Sequence, residues 1–135
     1  MSNELLAFTG EAKQLFCTIK DDGTRAAKAK IFNTLQNPDH AISDKIGEVI
    51  KVVDVIAHPV ELTSDQTGLI ENHMRVILVA EDGQSYASVS GGITQALTSI
   101  FGIVGQPPYT SEPLAVKILQ KKGKGTNKFL TLELV

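Results

Sequence analysis

The stretch Gly47–His58 (GEVIKVVDVIAH) constrains the fold of this chain more than any other. It is dense in β-branched residues, which suit a pleated, half-buried surface. Its alternation also slips phase. Ile50 and Val52 share one face, and then Val53 and Val55 share the other. A slip within one long strand predicts a β-bulge, or a strand that bends and pairs in two halves of a sheet. Pro59 is expected to end it.

The flanking segments read as follows. Residues 13–19 form a strand, Asp21-Asp22-Gly23 is a turn, and residues 27–35 (AKAKIFNTL) return as a second strand, giving an N-terminal β-hairpin. Asn37-Pro38-Asp39 breaks that strand. Ile70–Ala80 alternates cleanly, with Met74, Val76, Leu78 and Ala80 on one face and His73, Arg75, Ile77 and Val79 on the other. Glu81-Asp82-Gly83 turns into a short strand, Gln84–Val89. Ser90 is the N-cap of a helix running to about Val104. Its apolar stripe is Ile93, Leu97, Ile100, Phe101 and Val104. After a proline-rich loop come Leu114–Gln120, a basic turn at 121–127, and a last strand, Lys128–Val135.

From residue 47 the order is strand, strand, strand, helix, strand, strand. That order predicts an all-β fold with one helix: a five-stranded Greek-key barrel of the oligonucleotide-binding (OB-fold) class. The N-terminal hairpin would be an addition to it. A β-sandwich or an SH3-like barrel does not expect a full helix at that point. Residues 1–12 are expected to be a flexible arm and 13–135 a single domain.

Composition sets limits. The chain has 135 residues and a net charge of −2, so it is no histone-like protein that binds duplex by bulk charge. The charge is uneven, because five lysines but only one acid, Glu133, follow Pro113. The single cysteine, Cys17, excludes an internal disulfide and reads as a small core residue. There is no recognisable signal peptide and no apolar run near the ~20 residues that span a bilayer, so a cytoplasmic location without membrane contact is expected.

Catalytic constellations are missing. His40, His58 and His73 are scattered, without metal-ligand spacing. Gly-Lys-Gly-Thr at 123–126 lacks the spacer, the ending and the helix of a phosphate loop. No metal, no cofactor and no enzyme activity are expected.

Binding to a nucleic-acid strand has more support, because single strands are held by cationic grooves with aromatic platforms. Three stretches supply both ingredients. In the strand at 27–35, Lys28, Lys30 and Phe32 share a face at period two. On the sheet face opposite the core lie Lys51, His73 and Arg75, with Tyr86 on the short strand. At the last hairpin, Lys117, Lys121, Lys122, Lys124, Lys128 and Phe129 cluster. That hairpin is one of the two loops with which such barrels grip oligonucleotides.

The phrases AKAKIFNTL, ISDKIGEVIKVVDVIAH, ILVAEDGQSYASVSGGI and VKILQKK…NKFLTLELV carry a family resemblance over roughly residues 27–135. The chain resembles the small single-stranded-DNA-binding proteins of phages of Gram-positive bacteria, most of all those of podoviruses with protein-primed replication. Related proteins occur on conjugative plasmids. The resemblance implies a protein that coats and protects exposed template strands in the host cell. It implies little sequence preference and no cofactor. Phe32, Tyr86 and the lysines would make the contacts. Separately, Leu5, Leu6 and Phe8 are apolar in the otherwise unpatterned arm, which is expected to reach a neighbouring copy along the strand. The alternative reading is an accessory barrel that binds protein without nucleic-acid affinity, favoured by the acidic total and the few aromatics.

Overall fold

The structure is a computed structural model that describes residues 16–63, 66–123, 125 and 128–135. The 1–12 arm lies outside the described residues, as do residues 13–15 of the strand expected at 13–19. In chain order the elements are β1 (Phe16–Cys17), α1 (Arg25–Gln36), β2 (His40–Ala41), a 3-10 turn (Ile42–Asp44), β3 (Val49–Thr63), β4 (Ile70–Ala80), β5 (Ser85–Ser88), α2 (Gly91–Ile103), β6 (Leu114–Lys122) and β7 (Lys128–Leu134). The protein is mostly β with two helices.

One mixed sheet runs β2-β5-β4-β3-β6-β7, with β1 added on β3. β2 and β5 are parallel and the other pairs antiparallel. β3 organises the sheet because three strands pair with it, β1 at Ile56–Ala57. Residues Val49–Val52 pair with β6, and Val52–Thr63 pair with β4. The register shifts between Val52 and Asp54, where the sequence slips phase. This bulge lets Ile50 and Val52 before it, and Val55 and Ala57 after it, enter the same core.

Pro59 does not end β3; it pairs with Met74 and the strand runs on to Thr63. The reason lies in the backbone direction. Val55 points its N–H and its carbonyl at Thr18, away from β4. By the period of two, Pro59 faces the same side, where beyond Ala57 no strand pairs among the described residues. Its missing N–H costs no ladder bond among them.

The sheet curls around a core on its inner face. Phe16, Val55, Val76, Leu78, Val116 and Ile118 meet the stripe Ile93, Leu97, Ile100 and Phe101 of α2 there. α2 also packs on β7: a Cβ at Gly92 would collide with the carbonyl oxygen of Leu130, so only glycine fits. No ladder joins β5 to β7 among the described residues, and the sheet forms a half-barrel. The strand order β5-β4-β3-β6-β7, with a helix between β5 and β6, is consistent with an OB-like fold.

The segment expected as the second strand of an N-terminal hairpin is instead the helix α1, so the fold has two helices and not one. Ala26, Ala27 and Ala29 favour helix most strongly. Thr24 caps it, its hydroxyl accepting from the Ala27 N–H at 3.2 Å. Pro38 disfavours the helical conformation at Asn37, which closes α1 at φ −133°. The partner of β1 is β3. α1 lies over the outer face of the sheet. Ile31 and Leu35 pack there on a second cluster, Ile19, Ile56, Ile77 and Val79. Cys17 is half-buried at its margin.

Candidate nucleic-acid interface

The strongest grouping of expected site residues is at the β6–β7 hairpin. Inward residues Val116 and Ile118 on β6, and Leu130 and Leu132 on β7, fix the register by burying one face. That register sets Lys121 directly opposite Phe129 on the outer face. The next rung sets Lys122 opposite Lys128. Lys121, Lys122, Lys128 and Phe129 are all exposed. No ion pair engages these three lysines among the described residues. Like charges on facing positions of a ladder repel, so this tip favours an anion. Lys124 lies outside the described residues.

The cationic strip continues along the outer face. Lys117 lies four residues before Lys121 on the same side of β6. Lys51 pairs with Ala115, which makes it a diagonal neighbour of Lys117. Two acids temper the strip. Lys51 reaches Glu81 at 3.6 Å, and Glu133 stands opposite Lys117.

The sheet residues do not gather as expected. Arg75 lies on the outer face, but its Nη1 donates to the Leu35 carbonyl at the end of α1, at 2.8 Å. His58 is paired with Arg75 across the strands. The His58 Nε2 is buried without a hydrogen-bond partner. Burial first, and the Arg75 charge second, push its pKa down. His73 is half-buried and pairs with Val60. Tyr86 pairs with Leu78 and packs against the inner core, so it does not share the Arg75 face. Its ring stacks on His40 at 4.9 Å between centroids. Burial first, and then Asp82, Glu48 and Asp39, raise its pKa. That acidic surrounding suits a structural stack better than a phosphate.

On α1 the expected trio splits. Lys28 and Phe32 are one turn apart and share a face, while Lys30 points to another side and lines a cleft with Thr18, Asp22 and Asp54. Lys28 pairs with Asp21 at 3.0 Å. Reading 27–35 as a strand hides Arg25, which helical spacing places beside Phe32. Tyr109 serves the loop: its hydroxyl donates to the Gly105 carbonyl, and burial pushes its pKa up to about 12.

A curled half-barrel with a helix-plugged core thus carries, at its β6–β7 tip, three exposed lysines that no ion pair engages among the described residues. The comparison with known families gives the class. The family model for phage single-stranded DNA-binding proteins of the phi29 type matches residues 9–135. The chain belongs to that family, whose members bind single-stranded DNA in phage replication. No curated protein and no solved structure matches the chain. Among the described residues no helix is long and apolar enough to cross a membrane.

Proposed function

We propose that the protein coats single-stranded DNA during phage replication, with little sequence preference, and shields it from nucleases. The observation that carries the reading is the β6–β7 tip, where Lys122 faces Lys128 beside Lys121 and no acid pairs them among the described residues. Phosphates relieve that repulsion, and phosphates are common to every sequence. In this reading β3–β7 are the five strands of an OB-type barrel, and the β6–β7 hairpin is its second gripping loop. Lys117 and Lys51 extend the path along the outer face. Plasmid transfer is a use open to the same chemistry.

The test is fluorescence anisotropy with labelled oligothymidine across a salt series. Replacing Lys121, Lys122 and Lys128 together by alanine should weaken binding. It should also flatten the salt slope by roughly 0.7 for each lysine that meets a phosphate. An unchanged slope removes the hairpin from the site.

Protein contact is the second reading, favoured by the end of the β3–β4 ribbon. Leu62, Leu69 and Ile70 are exposed there, next to Glu61 and Glu71. This apolar, acidic tip suits a neighbouring copy better than a phosphate chain. Sedimentation on an oligonucleotide long enough for two copies should show pairing that Leu62→Glu with Ile70→Glu abolishes. Pairing that survives both changes would clear the tip.

A further inference from the structure

Barrels of this strand order commonly receive an oligonucleotide on the outer face of the strands equivalent to β4 and β5. Here that face is occupied. Ile31 and Leu35 of α1 close the apolar cluster Ile19, Ile56, Ile77 and Val79, and the Arg75 guanidinium is engaged by the Leu35 carbonyl. Uncovering four buried aliphatic side chains would cost several kcal/mol. The helix therefore stays, and this side of the molecule offers the outer ridge of α1 to solvent.

The ridge has the ingredients of a stacking site. α1 carries Arg25, Lys28 and Lys30 and no acid, in a chain of net charge −2. At about 100° per residue, Arg25 lies within roughly 20° of Phe32 around the helix, and Lys28 and Gln36 within roughly 40°. All four are exposed. The Phe32 ring is 60% exposed and lies outside both apolar clusters. Cations flank it on the side toward the helix N-terminus, where the macrodipole adds to their field. Lys28 is held by Asp21 at 3.0 Å, but both side chains are open to water. A phosphate can replace that carboxylate without uncovering a buried charge.

We propose that the Arg25–Lys28–Phe32 ridge is a base-stacking platform: one base of a single strand lies on the Phe32 ring, and Arg25 and Lys28 take the flanking phosphates. This rests on the single-strand-binding reading and adds a second contact region to the β6–β7 hairpin. Lys30, on the other side of the helix, has no part in it.

The chain has no tryptophan, so one can be introduced as a reporter. Phe32→Trp reports on the ridge. Ile103→Trp, at a position 84% exposed at the end of α2, is the control. Anisotropy of labelled oligothymidine follows binding, and indole emission follows stacking. On saturation, F32W emission should fall by about half or more, while I103W emission stays unchanged. F32A should weaken binding about tenfold, the scale of one base–aromatic stack. Full binding by F32W with unchanged emission, or F32A binding like the parent, overturns the platform. So does an emission change that follows protein concentration without oligonucleotide, because the ridge would then meet another copy. If the parent protein fails to bind oligothymidine at all, the single-strand reading itself falls, which the anisotropy arm registers separately.

Discussion

His58 and Arg75 face each other across β3 and β4, and neither role is visible in the alternation that places them. The pattern assigns Arg75 to the outer face. It says nothing of α1 arriving to engage Arg75, or of the burial of the His58 Nε2. The consequence is a pH dependence. Burial and the Arg75 charge hold the His58 pKa below its ordinary 6.5. On acidification the unfolded chain therefore takes the proton first, so stability is complete above about pH 7 and declines as the pH falls through the folded value. Urea midpoints should fall between pH 7.5 and pH 5 for the parent and fall less for His58→Gln. Equal slopes would contradict this. Asp21 and Asp22 do not confuse the window, because their carboxylates are held low by hydrogen bonds from Gly23 and Thr24 and titrate in more acid solution. Gly92 is a second case. Its Cβ would collide with the Leu130 carbonyl, a backbone atom that cannot turn aside. Gly92→Ala should cost about 1–3 kcal/mol despite the better helix propensity of alanine, read as a lowered denaturation midpoint. A gain in stability would mean that α2 does not sit tightly on β7.

Among the elements, those that bury a full face were legible. Ile70–Ala80 is β4 to the residue, and Ile93, Leu97, Ile100 and Phe101 line the core from α2 as their spacing requires. The phase slip in β3 located its bulge, because a residue that breaks alternation has to be re-aimed. α1 was misread for an equally physical reason. It buries no residue fully, so its helical signal is only Ala27, Ile31 and Leu35, and the chance alternation of Lys28, Lys30 and Phe32 competes with it. The alanines and the Thr24 cap carry the information instead. Thr24→Ala should lower stability by about 1 kcal/mol and raise amide exchange in the first turn of α1. Unchanged exchange would show the cap to be dispensable. The hairpin at β6–β7 was placed by its inward leucines, but its facing lysines need the register, which a turn of unknown conformation leaves open.

At the scale of the molecule, a protein with net charge −2 binds a polyanion only if its cations are gathered. Among the described residues two gatherings exist, at the β6–β7 tip and along α1, and acids hold Tyr86 and the β3–β4 ribbon apart from them. Cationic surfaces imply binding whose affinity falls with salt in proportion to the phosphates they meet, and exposed aromatic rings favour a flexible strand with open bases over a stiff duplex. Single-strand binding is tested most directly by measuring anisotropy of labelled oligothymidine and of a duplex of equal length from low to high salt. Tighter binding to the single strand is expected throughout, with affinity falling linearly on a log–log plot. Equal affinity for the duplex, or no binding to either at low salt, would contradict it.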